Sequence, residues 1–325
     1  MKLIAIEEHF LTNEIRNEWK KNADDDPTQN LHLGEIESLL DDIGSTRLKL
    51  MDETGIDVQV LSLTTPGLHN MGSASVSLAK QTNDLVADMV KKTPSRFQGL
   101  AALPTPVPQE VPIELERSVK KLGLKGAMLC GRTREKNLDH TDFWPLFECA
   151  AELGVPLFIH PQIPQKPVRD IYYSGFGNEI NLAFSTFGLG WHYEAGIQFV
   201  RLVLAKVFDR FPNLQIILGH WGEVILFYTE RLASLNRVAK LNQPFIDYVR
   251  QNLYVTASGM FSHSYLQRSI EVIGTDRILF SSDYPYQYRP GGDARKFLEA
   301  VELSKDDKEK FAFANWERLI RANCI

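Results

Sequence analysis

Apolar residues along the chain gather into short continuous runs, separated by longer stretches with helical spacing. The first run, 3–6, continues into Glu7, Glu8, His9 and Phe10. Similar runs recur at 57–63, 97–103, 125–130, 155–160, 214–220, 252–257 and 277–283. Each predicts a strand, because a run of this length bounded by Gly, Pro or Asp fits a strand buried on both faces. Between them, one-face apolar spacing predicts helices over 45–54, 76–92, 110–122, 142–153, 191–207, 222–240 and 264–273. Ser45 can cap the first of these and Gly154 closes the fourth. Three more helices are expected at 293–303, 305–313 and 316–321. Two stretches carry neither period. Residues 11–44 are polar and include the patch Asp24-Asp25-Asp26-Pro27, and residues 161–189 are rich in Pro, Gly and aromatics. Connections this long inside a compact enzyme are usually active-site loops or lids.

Eight strands alternating with helices is the arithmetic of an α/β fold of the (β/α)8 TIM-barrel type, with long βα loops after strands one and five. A doubly wound open sheet would show a Gly-rich turn after its first strand. Here the first strand runs into Glu-Glu-His-Phe. No internal repeat or boundary divides the chain, so residues 1–325 are expected to form one barrel domain.

Composition narrows the partners. A net charge of −5, with no long basic block, argues against nucleic acid and acidic membranes. No apolar run approaches the roughly 18 residues of a membrane span. The N-terminus enters a strand without an apolar leader, so a cytoplasmic location is expected. Cys130, Cys149 and Cys324 are few, far apart and not at zinc spacing, which also suits a reducing compartment.

The strand ends hold the chemistry. Glu7 and His9 close the first strand, His160 the fifth, His220 the sixth and Asp283 the eighth. In a parallel barrel these ends meet at one rim, where barrel active sites sit. Glu7 and His9 stand two apart and share a strand face, with Glu8 on the other. A carboxylate and an imidazole so placed can hold one divalent ion, and mixed oxygen and nitrogen donors suit manganese first, with zinc as the alternative. Glu223 follows His220 closely; it either serves the pocket or is a favourable charge at a helix start. Strand four ends in Leu129-Cys130-Gly131, with no lysine to bridge two metals, so a single ion is expected. No H-E-x-x-H helix or G-x-S-x-G turn is present.

The pattern Glu7-x-His9, Phe158-Ile159-His160-Pro161, Leu218-Gly219-His220-Trp221-Gly222-Glu223 and Phe280-Ser281-Ser282-Asp283-Tyr284-Pro285 resembles the amidohydrolase superfamily. It looks most like the branch of aminocarboxymuconate semialdehyde decarboxylase and the γ-resorcylate and other hydroxybenzoate decarboxylases. Thr46 to Asp52, Leu100 to Pro104 and Val207 to Pro212 match as well. The likeness is weakest over 11–44 and 161–190. Most of the superfamily carries His-x-His on the first strand, so Glu7 favours the decarboxylases.

The resemblance implies metal ligation by Glu7, His9, His160 and Asp283, with Asp283, His220 and Glu223 as the catalytic set. It also implies a substrate contact at Arg231 and, more weakly, at Arg47; an ordinary ion pair is the other reading of each. Phe10, Trp191, Tyr193 and Tyr284 either sandwich an aromatic ring or simply pack. The expected substrate is a small aromatic carboxylate that loses CO2 after protonation of its ring carbon. Hydrolysis of an amide or lactone is the alternative, since the same residues could activate a water. A homodimer or homotetramer is implied by the resemblance alone.

Overall fold

The computed structural model describes residues 1–22, 26–288 and 291–321. Asp24, Asp25 and Cys324 lie outside the described residues.

Parallel strands run in chain order as β1 (Ile4–Phe10), β2 (Val58–Leu63), β3 (Phe97–Gly99), β4 (Ala101–Ala102), β5 (Ala127–Cys130), β6 (Leu157–His160), β7 (Ile216–Leu218), β8 (Leu253–Thr256) and β9 (Ile278–Leu279). Each pairs in parallel with its neighbour, except across Leu100. There the third expected strand divides: β3 pairs with β2, and β4 pairs with β5. Leu100 N–H donates to Leu61 O at 2.9 Å and Ala101 N–H to Gly126 O at 2.8 Å, so the chain crosses from one neighbour to the other without a gap. The two outer edges also meet. Ile6 N–H donates to Phe280 O (3.1 Å) and His9 N–H to Tyr284 O (2.7 Å). The fold is a (β/α)8 barrel.

Strand alternation sorts the apolar side chains into two buried groups. Ile4, Ile6, Val58, Val60, Leu100, Met128, Phe158, Ile217, Tyr254 and Leu279 form the inner one. Trp316 and Leu319, on the helix Asn315–Arg321, join it and plug the end of the barrel opposite the strand C-termini. The outward-facing Leu157, Ile159, Leu129 and Leu218 belong to a second group with helical Val86, Leu115, Phe147 and Phe199.

Several expected elements differ. The helix 222–240 begins only at Ile225, ends at Leu232, and resumes briefly at Leu235–Val238. A helix at Phe245–Asn252 was not expected, although Phe245, Tyr248, Val249 and Asn252 are buried at helical spacing. The loop after β1 holds the helices Asn13–Trp19 and Glu35–Asp41, and the loop after β6 holds Lys166–Tyr172 and Asn178–Ser185. These pieces are too short for a period to register.

Candidate active site

The site is built where the strands end. β1 shifts register between Ala5 and Glu8. Ile4 and Ile6 face the barrel interior, so unbroken alternation would turn Glu7 outward with Ala5. The bulge turns it inward, as bulges next to active sites do. Glu7 Oε2 then accepts from the hydroxyls of Thr256 (3.2 Å), Ser281 (3.2 Å) and Ser258. Glu8 faces the other way and accepts from Gln59 Nε2 (3.0 Å), Ser282 N (2.8 Å) and Ser282 Oγ (2.6 Å).

Glu7, His9 and His160 are all buried, and one ligand atom of each lies within 4.8 Å of the others. Asp283 joins them, its Oδ1 3.4 Å from His9 Nε2. His160 Nδ1 lies 2.9 Å from Pro161 O. A carbonyl only accepts, so the proton sits on Nδ1 and the Nε2 lone pair faces Glu7 Oε1 at 3.8 Å. That is the tautomer a metal-binding imidazole needs. Glu7 Oε1 and His9 Nε2 are buried without any hydrogen-bond partner. Buried polar atoms are rarely left this way, and two of them converging on one point fit a cation. Gly219 keeps the space open. A Cβ there would stand 2.7 Å from Ser258 Oγ, 3.1 Å from Glu7 Oε1 and 3.3 Å from Glu223 Oε1.

Burial sets the proton affinities of this group. It pushes the carboxyls of Glu7 and Asp283 up to about 7, against the pull of the His220 charge. It pushes His9 down to about 3, helped by the Arg47 and His220 charges. His160 is held well below the usual imidazole range for the same reason.

Beside the metal-ligand candidates the backbone does something unusual. His220, Trp221, Gly222, Glu223 and Val224 all have positive φ, from 46° to 89°. They form a single left-handed turn, which costs about 1–2 kcal/mol for each non-glycine residue. Compensating contacts hold it. His220 N–H donates to Ser258 Oγ (2.8 Å), Gly222 N–H to Gly219 O (2.7 Å), and Trp221 Nε1–H to Met260 O (2.8 Å). The turn brings His220 Nδ1 to 2.6 Å from Glu223 Oε1. Glu223 is therefore not the first-turn charge of a helix. It is buried, and its second oxygen accepts from His192 Nδ1 at 2.7 Å. Burial alone would raise Glu223, but the two histidines bring it down to about 2. Burial alone would lower His220, but Glu223 foremost, with Glu7 and Asp283, lifts it to about 10. His220 and Glu223 thus form an ion pair at neutral pH.

His160, His220, Glu223 and Asp283 open onto a cavity of about 890 Å³. Its walls are largely aromatic and include Phe187, Trp191, Tyr193, Phe227, Tyr228 and Tyr286. Trp191 and Tyr193 are there as the sequence suggested. Phe10 and Tyr284 are not: Phe10 is in the outer core, and Tyr284 lies under the Arg47 guanidinium, 4.4 Å from its ring centre. Arg47 is fully buried and also lies outside the cavity. It donates to Asp42 O (2.9 Å), Gln59 Oε1 (3.3 Å) and His9 O, so it braces the end of β1. Arg231 is exposed at the end of its helix and does not line the cavity of this chain. The sequence reading passed over His192, His32 and Tyr286. His192 had a faint signal, a histidine between Trp191 and Tyr193; His32 lies in a stretch without period.

A barrel with an acidic and imidazole cluster at its strand C-termini defines a metal-dependent enzyme class, and the sequence agrees. The chain belongs to the amidohydrolase family, whose model matches residues 45–321. It is 34% identical to a γ-resorcylate decarboxylase of a Polaromonas species, over 98% of each chain. Among solved structures, a dihydroxybenzoic acid decarboxylase of Polaromonas with bound manganese and the inhibitor 2-nitroresorcinol superposes with a TM-score of 0.85. It is 32% identical and the match covers 100% of this chain and 98% of that one. A 5-carboxyvanillate decarboxylase of Sphingomonas paucimobilis gives 0.90 at 31% identity, covering 98% and 99%. Among the described residues no helix is long and apolar enough to cross a membrane.

Proposed function

We propose that this chain is a manganese-dependent, non-oxidative decarboxylase of a hydroxybenzoate, with Glu7, His9, His160 and Asp283 as the metal ligands. The pair of unpartnered buried atoms, Glu7 Oε1 and His9 Nε2, carries this reading, set as it is beside an aromatic cavity. Similarity to the manganese-bound decarboxylase favours that ion, and the mixed oxygen and nitrogen donors suit it. When bound, the ion supplies a Lewis acid that takes up the charge of the carboxylate and an adjacent phenolate oxygen.

The protein's own groups handle the proton and the ring. Asp283 stands beside the metal-ligand candidates and lines the cavity, where it delivers a proton to the carboxyl-bearing ring carbon. That carbon becomes tetrahedral. The bond to the carboxylate then breaks, its electron pair restores the ring, and CO2 leaves. Asp283 regains its proton from solvent. His220, kept cationic by Glu223, holds the hydroxyl oxygen or the Asp283 carboxylate in place. Trp191 and the neighbouring aromatics exclude water from the ring.

A homodimer or homotetramer is supported by exposed apolar side chains, including Ile171 (74% exposed) and Tyr172 on the loop after β6 and Phe227 at the cavity. A cytoplasmic location is supported by Cys130 and Cys149, which are free thiols. The function is tested by incubating manganese-loaded enzyme with a panel of 2-hydroxybenzoates and measuring CO2. Release of CO2 that disappears in Asp283→Asn supports the reading. Hydrolysis of a lactone with no CO2 from any acid overturns it in favour of a hydrolase.

A further inference from the structure

The loop after β1 places one residue in the cavity wall with a specific bonding role. His32 sits deep in that wall, 3% exposed, with Trp19 against its ring at 5.5 Å between centres. Trp19 is itself tied down through Nε1–H to Gly67 O at 2.8 Å. His32 Nε2 lies 2.7 Å from Thr65 O, and its Nδ1 lies 2.6 Å from Tyr286 Oη. Tyr286 Oη also lies 2.6 Å from Thr64 Oγ1.

The direction of every bond in this chain follows from one fixed acceptor. Thr65 O has no proton to give, so His32 Nε2 carries one. Burial holds His32 down at about 4, so the ring is neutral and Nδ1 offers a lone pair. Tyr286 must therefore donate its hydroxyl proton to His32. Thr64 must then donate its own to Tyr286. The Tyr286 oxygen is left with a spare lone pair and no proton for a ligand. Tyr286 lines the cavity, and its ring centre is 5.7 Å from that of His9.

We propose that Tyr286, oriented by His32 and Thr64, is a specificity residue that accepts a hydrogen bond from a second donor substituent on the aromatic ring, and so discriminates against its methyl ether. Tyr286 is the contact; His32 is a positioning residue that commits the tyrosine proton. This rests on the proposed decarboxylation and names the residue of this chain that reads a second substituent on the ring. His32 also gives the polar loop after β1 a bonding role in the wall, which Leu31 and Ile36 of that loop line as well.

The test is binding, read by tryptophan fluorescence on manganese-loaded enzyme. The ligands are 2-hydroxybenzoate, its four dihydroxy isomers with one added hydroxyl, and their methyl ethers at that hydroxyl. One isomer is expected to bind about three- to tenfold more tightly than both 2-hydroxybenzoate and its own ether, the worth of one neutral hydrogen bond. Tyr286→Phe should bring the three ligands to equal affinity. His32→Leu combined with Thr64→Val removes both partners of the tyrosine hydroxyl and frees its proton, so the ether alone regains affinity while the hydroxyl keeps its advantage over the unsubstituted ring. Ratios are compared, so a uniform loss in a variant cancels, and the double variant carries the test if Tyr286→Phe melts. The proposal fails if no isomer is preferred, if the preference survives Tyr286→Phe, or if the double variant leaves the ether unchanged. CO2 release is measured separately. Binding with these ratios and no CO2 would refute the decarboxylase reading and leave Tyr286 in its role.

Discussion

Replacing Glu223 with Gln removes one negative charge from a buried position and leaves the side chain nearly the same size. The carboxylate holds His220 Nδ1 at 2.6 Å and His192 Nδ1 at 2.7 Å. With it, His220 titrates near 10 instead of 6.5. At 1.36 kcal/mol per pH unit, that preference for the cation is worth about 5 kcal/mol net of the opposing cost of burial, and it comes from Glu223, Glu7 and Asp283. Glu223 is the foremost of the three, and removing one partner of a buried pair costs about 3–5 kcal/mol. His220 in the variant should therefore titrate at least about two pH units lower. The assay is a ring-nitrogen NMR titration of chelator-treated protein with histidine labelled at nitrogen. Stability gives a second readout whose sign is fixed. The raised His220 contributes stability that is fully present below 6.5 and is lost as pH rises through about 10. The lowered Glu223 contributes stability that is present above 4.5 and is lost as pH falls through about 2. The two describe one ion pair, so the stability gap between wild type and Glu223→Gln should be widest between pH 4.5 and 6.5 and shrink toward 10. A His220 midpoint that stays near 10 in the variant would refute the ion-pair account.

Other changes probe other parts of the site. Gly219→Ala puts a methyl 2.7 Å from Ser258 Oγ and 3.1 Å from Glu7 Oε1; calorimetry should show a loss of about 1–3 kcal/mol, and elemental analysis less retained manganese. Glu7→Gln keeps an acceptor for the hydroxyls of Thr256, Ser258 and Ser281 but removes a charged ligand. Manganese content after dialysis should fall at least about tenfold while the fold, by circular dichroism, persists. Arg47→Met should lower stability by about 2–4 kcal/mol, because Gln59, Asp42 and His9 lose a buried donor. Substrate KM should stay within about twofold, since Arg47 is outside the cavity; a large KM rise with unchanged melting would return it to the substrate.

The barrel was legible because its signal is redundant. Continuous apolar runs such as Leu157–His160 recur in order, and four of the eight lead into an acid or an imidazole at the same rim. Glu7, His9, His160, His220 and Asp283 could be gathered from that rule alone. What stayed hidden depends on backbone geometry that no period encodes. The bulge in β1 turns Glu7 inward without any Gly or Pro to announce it. The left-handed turn at His220–Val224 contains only one glycine, Gly222, and reads as a helix start. Its reward comes from partners far along the chain, Ser258, Met260 and His192. Arg47 illustrates the opposite error: a conspicuous motif residue whose charge is spent on bracing β1. His32 reaches the cavity only because Trp19 and Gly67 pin a loop with no periodic pattern.

The proposed reaction replaces the carboxylate by a proton at the same ring carbon, with loss of CO2 and no oxidation. It is tested most directly by running the manganese-loaded enzyme on 2,6-dihydroxybenzoate in D2O, with the product followed by NMR and the CO2 counted. One CO2 per substrate consumed is expected, with resorcinol carrying a single ring deuterium at the carbon that bore the carboxylate. No CO2, or deuterium at any other ring position, would contradict it.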